Sequence, residues 1–227
     1  MDSYFTPDKK KYQNSGNEAV LSLIPIDAKY ILDIGCGSGD NARILSNRGL
    51  TVDCITISEK EKSIAQNFCN KIYIKNIELG LPPEIVMNKY DVVICSHILE
   101  HIAYPSLVLN DIKKILRDNK SILIVALPNF LSYRNRFKIF LGKFDYENSG
   151  IMDYTHLRWY TYKSGKKLLL DHGFKIIDIS VDGNIPFASY LGFLPLNIKE
   201  FIKNNLLKIS PGLFGGQFIY TCKINDL

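Results

Sequence analysis

Short apolar blocks punctuate the first 128 residues: YILDI (30–34), TVDCITI (51–57), KIYIKN (71–76), DVVICS (91–96) and SILIVALP (121–128). Near-continuous apolar runs of this length suit strands buried on both faces. Between them the apolar spacing becomes helical. Residues 16–24 predict a short helix ended near Pro25. DNARILSNRG predicts a second, ended by Gly49, and residues 106–117 another. SEKEKSIAQNFC opens on Ser58, a good N-cap, and Glu61 three places on fits a capping box. Strands interleaved with helices require right-handed crossovers. The expected fold is therefore α/β, a doubly wound and mostly parallel sheet. The last third differs. GFKIIDISV (173–181) and GQFIYTCKI (216–224) read as strands around the helix-like LNIKEFIKNNLLKI, so a last strand is expected to return antiparallel. Chain length allows one domain over 1–227.

The first strand runs into ILDIGCGSGDNARIL. Gly35, Gly37 and Gly39 form a turn that brings backbone close to a ligand, and the next helix offers free N–H groups. Those features suit nucleotides in general. Asp33 and Asp40 flank the turn and would repel a pyrophosphate. S-adenosylmethionine carries no phosphate, and its ammonium and sulfonium are favoured by carboxylates. The spacing GxGxG also departs from the dinucleotide GxGxxG. A turn used only for tight packing is the bland alternative.

DxGxGxG, the capped helix after the second strand, and DVVICSHILEHI together resemble the class I S-adenosylmethionine-dependent methyltransferases. LPNFLSYRNRFKIFLGKF and GIMDYTHLRWYT resemble a narrower group of methionine-biosynthesis methyltransferase-like and bacterial glycan-cluster methyltransferases. The resemblance covers residues 29–182. It implies a Rossmann-like sheet, S-adenosylmethionine as cofactor, and segments 130–160 and 185–215 as caps on the acceptor side. It places the cofactor on Asp33, Gly35, Cys36, Gly37, Gly39, Thr56, Ile57, Glu59, Asn76, Ile77, Ser96 and His97. Two positions depart from the family. Thr56 stands where the family has an acid for the ribose hydroxyls, with Glu59 nearby to compensate. Asn76 stands where the family has Asp for the adenine amine.

Methyl transfer to a hydroxyl needs alignment and a base. His156 in DYTHLRWY is the expected base, with Asp153 orienting it, and the alternative is a histidine that pins its loop. His101, in LEHI, is a further catalytic candidate or a loop cap. His172, at a helix C-terminus, reads as structural. Asn129, Arg134, Arg136 and Arg158 are the substrate candidates, since guanidinium forks match anionic acceptors. A solvated basic face is the alternative. The apolar segment 185–215 reads as an acceptor cap, a helix lying on a membrane surface, or a homodimer contact.

Composition narrows this picture little. The net charge of +5 permits anionic partners without demanding nucleic acid, so a nucleic-acid methyltransferase is the weaker reading. Five cysteines, an odd number with no CxxC, read as small core residues. The four histidines show no zinc-ligand spacing, so no metal is expected. MDSYFTPDKKKYQ lacks a signal core, and ILIVAL (122–127) is too short to span a bilayer. The expected setting is cytoplasmic. The leading expectation is O-methylation of a small or carbohydrate acceptor, in surface-polysaccharide or related sugar metabolism. A catalytically silent methyltransferase-like subunit is its rival from another class.

Overall fold

The computed structural model describes residues 15–183 and 194–225. The part of the 185–215 expectation that falls on 184–193 lies outside the described residues. Seven strands form one sheet: β1 (Tyr30–Ile34), β2 (Thr51–Thr56), β3 (Lys71–Ile74), β4 (Val92–Ser96), β5 (Ile122–Pro128), β6 (Phe174–Asp182) and β7 (Gln217–Ile224). Their order is β3-β2-β1-β4-β5-β7-β6. β1 to β5 pair in parallel. β7 slots between β5 and β6 and runs antiparallel to both. The expected antiparallel last strand is therefore present, inserted one place in from the edge.

The strands read as continuous apolar runs because helices cover both faces. Successive side chains point to opposite faces. On β4, Val93 and Cys95 join one core, and Val92 and Ile94 join the other. On β5, Leu123, Val125 and Leu127 go one way, and Ile122, Ile124 and Ala126 the other. The helices are α1 (Glu18–Leu21), α2 (Asp40–Asn47), α3 (Glu59–Ala65), α4 (Pro83–Val86), α5 (Ser106–Ile115), α6 (Tyr133–Phe140), α7 (Tyr162–Asp171), α8 (Leu196–Ile209) and α9 (Pro211–Phe214). α2 stops where Gly49 takes φ 85°. There Leu50 N–H reaches Leu45 O and Gly49 N–H reaches Ser46 O, a Schellman ending. α3 is N-capped by Ser58, whose side chain accepts from Glu61 N–H, as its sequence predicts.

α1 and α3 are shorter than their apolar patterns suggested. α8 carries no buried residue, and Leu196, Phe201 and Ile209 are exposed along it. Among the described residues no helix is long and apolar enough to cross a membrane. Cys36, Cys54, Cys95 and Cys222 are free thiols buried in the core, and Cys69 is free and half-buried.

Candidate functional site

Strand order reverses after β1, where the chain crosses to β4. In open α/β sheets a crevice forms at the carboxyl ends of strands at that point. A cleft of about 870 Å³ lies there, lined by the loop after β1 and the ends of β2, β3 and β4. Residues 16–19 and the loop around Thr155 complete its walls.

The glycine loop is pinned by two bonds, from Gly35 N–H and Cys36 N–H to Ile55 O. All three glycines have positive φ: 76°, 54° and 82° at Gly35, Gly37 and Gly39. Gly35, Cys36 and Gly37 line the cleft, whereas Gly39 does not. A Cβ on Gly39 would lie 2.9 Å from Ala65 Cα, so this glycine lets α2 and α3 close on each other.

The two aspartates separate. Asp40 lines the cleft. Asp33 sits beneath the loop, 1% exposed, and its Oδ2 has no hydrogen-bond partner among the described residues. Burial raises its pKa to about 7, and a hydrogen bond from Asn41 offsets part of that rise. Asp33 therefore lies beneath the loop, outside the lining of the cleft.

At the end of β2, Thr56 and Ile57 line the cleft as the sequence suggested. Glu59 is exposed outside it, and Glu61 is the carboxylate that enters. Thr56 Oγ1 donates to Glu61 Oε2 at 2.6 Å. Helical geometry explains the exchange. Glu61 sits in the first turn of α3 facing the sheet, while Glu59 starts the helix on the solvent side. Asn76 and Ile77 also line the cleft. Asn76 Oδ1 accepts Glu78 N–H at 3.0 Å and caps a short 3-10 turn, Ile77–Leu79.

Ser96 and His97 line the cleft beyond β4. His97 has φ 55°, a strained value for a side chain of this size, and is the only non-glycine residue in that region among those described. Its Nε2 donates to Gln217 Oε1 at 2.9 Å, and its Nδ1 stands 3.4 Å from Glu100 Oε1. Burial opposes the charged ring, but the Glu100 carboxylate beside it outweighs that and pushes the pKa above its usual value. Asn17 Nδ2 also reaches Ser96 Oγ and Gln217 Oε1, and Gln217 Nε2 reaches Asp182. This stitch joins four distant segments. No local pattern announces Asn17, Asp182 or Gln217 in the sequence. Glu61 had a signal, its capping spacing, which led to a different use.

The catalytic candidates are rearranged. His101 lines the cleft and His156 does not. His156 Nδ1 bonds Ile151 O at 3.0 Å. Asp153 Oδ1 accepts Thr155 Oγ1 at 2.7 Å, and Thr155 Oγ1 meets His101 Nδ1 at 3.0 Å. Asp153 thus orients His101 through Thr155. His156 packs edge-on behind His101, with ring centroids 4.7 Å apart. Burial pushes the His101 pKa down. His172 bonds Leu168 O and Ser106 at the end of α7, a structural role as its sequence suggests.

None of the four substrate candidates lines the cleft. Asn129 is fully buried and donates to Gly212 O and Gly215 O, tying β5 to α9. Arg134 donates to Tyr133, Arg136 to Leu131 O, and Arg158 to Ala103 O. Each guanidinium donates through Nε to a carbonyl or hydroxyl of the chain itself, which fixes its direction outside the cleft.

A doubly wound sheet with an inserted antiparallel strand and a cleft at the switch point defines a small-molecule-binding α/β protein. A family model described as "Methyltransferase domain" matches residues 10–179, and the chain belongs to that family. It is 27% identical over 108 residues to a ubiquinone biosynthesis O-methyltransferase of Dechloromonas aromatica, covering 46% of this chain and 47% of that one. The chain thus spans about half the length of the curated relatives it matches. Two solved structures share its fold. One is a SAM-dependent methyltransferase from Archaeoglobus fulgidus, with TM-score 0.63, 18% identity and coverage of 87% and 86% of the two chains. The other is described as a possible histamine N-methyltransferase from Thermotoga maritima, with TM-score 0.62, 17% identity and coverage of 92% and 86%.

Proposed function

We propose that this protein transfers the methyl group of S-adenosylmethionine to a hydroxyl oxygen of a small or carbohydrate acceptor. The charge of the cleft carries this reading. Glu18, Asp40, Glu61, Glu78 and Asp182 line it against a single lysine, Lys75, among the described residues. Such a wall repels a pyrophosphate and suits a ligand bearing an ammonium and a sulfonium. Bound S-adenosylmethionine supplies an already activated methyl group. What remains for the chain is to hold and orient. Gly35 and Gly37 admit the ligand to the backbone. Glu61 and Thr56 meet the ribose hydroxyls in place of the missing acid at the end of β2. Asn76 and Ile77 meet the adenine. His101, held by Thr155 and Asp153, takes the acceptor's proton. The whole chain works as one domain, with 130–160 as its acceptor-side cap. The subgroup likeness of LPNF…DYTHLRWY favours a sugar acceptor of surface-polysaccharide metabolism.

Calorimetry with S-adenosylmethionine and NAD separately tests the cofactor. Saturable binding of the first and not the second is expected, and the reverse overturns the reading. Mass spectrometry of a sugar and nucleotide-sugar panel incubated with cofactor then reads the acceptor as a gain of one methyl group.

A further inference from the structure

Two histidines and a glutamate converge at the edge of the cleft. Glu100 and His101 end the 3-10 turn after β4, and His156 arrives from the loop before α7. Each offers one metal-binding type of atom, and these atoms lie within 4.8 Å of one another. Glu100 is fully buried, and neither carboxylate oxygen has a hydrogen-bond partner among the described residues. His97 stands at ion-pair distance, 3.4 Å, without hydrogen-bond alignment. His97 faces Oε1 alone, and a buried carboxylate whose second oxygen meets neither donor nor cation is costly.

Both imidazoles are oriented as ligands are. His156 Nδ1 bonds Ile151 O at 3.0 Å, and His101 Nδ1 bonds Thr155 O at 3.2 Å. A backbone carbonyl only accepts, so each ring carries its proton on Nδ1 and its lone pair on Nε2. A second partner that fixes the tautomer in this manner is characteristic of metal-binding histidines.

We propose that Glu100, His101 and His156 hold a divalent transition-series cation, for which Zn²⁺ is the natural probe. Two imidazoles with one carboxylate suit such ions better than Mg²⁺ or Ca²⁺, which prefer all-oxygen sites. Bonds of about 2.0–2.2 Å at tetrahedral angles set donors about 3.3–3.6 Å apart, so a gap of up to 4.8 Å closes by about 1.2–1.5 Å when the cation enters. Three protein ligands leave a coordination position open. His101 lines the cleft, so the cation would sit at its wall. A cation on His101 Nε2 takes the lone pair that would otherwise accept the acceptor's proton, so in the loaded protein the cation, which acidifies a hydroxyl bound to it, replaces His101 as the activating group. The site stands on its own geometry and needs neither the cofactor nor the acceptor assigned above.

The test is metal binding by the full chain after chelator treatment, followed by calorimetry with Zn²⁺ and visible absorption with Co²⁺. One equivalent bound at micromolar affinity or tighter is expected, with the intense d–d bands of a low-coordinate Co²⁺ centre. Glu100→Gln and His156→Gln should each weaken binding at least about tenfold while circular dichroism stays native. Absence of saturable one-to-one binding, or binding unchanged in either folded variant, overturns the proposal. If a variant does not fold, X-ray absorption of the Zn²⁺-loaded parent decides: two imidazoles and a carboxylate support the site, and no imidazole scattering removes it. Failure here leaves S-adenosylmethionine binding, measured separately, unaffected.

Discussion

Thr56 donates a hydrogen bond from its hydroxyl to Glu61, five residues along the chain, and the pair forms one wall of the cleft. The acid that β2 lacks at its end is thereby supplied from the first turn of α3. Glu61→Gln keeps the shape but removes the charge, and affinity for S-adenosylmethionine should fall about 10–100-fold, as for a lost charged hydrogen bond. Glu59→Gln should leave affinity unchanged, because Glu59 is exposed. Calorimetry on both variants separates the two positions.

The glycines divide into ligand-facing and packing positions, and substitutions should divide likewise. Gly39→Ala forces a Cβ against Ala65 at φ 82° and should cost about 1–3 kcal/mol of stability in denaturant unfolding. Gly37→Asn keeps a side chain that tolerates φ 54° and should fold, yet lose cofactor binding. A β-branched residue at Gly37 would confound the two effects through backbone strain.

Asp33 makes folding sensitive to pH. Burial holds its pKa at about 7 against an ordinary 3.8. Between those values the folded chain keeps a proton that the unfolded chain releases. The stability tied to that proton is complete below the unfolded pKa and is lost as pH rises through about 7. In Asp33→Asn nothing titrates there. From pH 4 to 8 its unfolding free energy should gain on the parent's by about 1–4 kcal/mol. Urea melts at several pH values measure the gap, and a constant gap would refute the shift.

His101→Gln should reduce turnover about 100-fold or more while cofactor affinity stays within about threefold. Arg134→Ala should leave turnover and acceptor KM unchanged, because that guanidinium is engaged with Tyr133 outside the cleft. Steady-state kinetics on a methylated acceptor reads both.

The five parallel strands were legible because burial on both faces demands apolar runs, and the runs at 30–34 and 122–127 have no other use. The glycine loop was legible because backbone approach requires glycine wherever it occurs. The insertion of β7 between β5 and β6 was less so, since pairing order is a long-range property that apolar patterning does not encode. Cleft-lining positions were legible where one element carries them, as at Gly35, Thr56, Asn76 and Ser96. Neighbourhoods were not legible where two elements must meet. Asp153 stands three places from His156 in the chain, yet its carboxylate serves Thr155 and, through it, His101.

The sequence by itself determined the class of sheet and the place of the cleft. Local spacing sets strand and helix, and strand ends set the crevice. Only the tertiary structure decided that Glu61 and not Glu59 enters, that His101 and not His156 faces the cleft, and that the arginines turn away. Which side chain reaches a shared space depends on helix rotation and on loops returning from distant chain positions. Those are set by packing the whole core, and no stretch of residues records them alone.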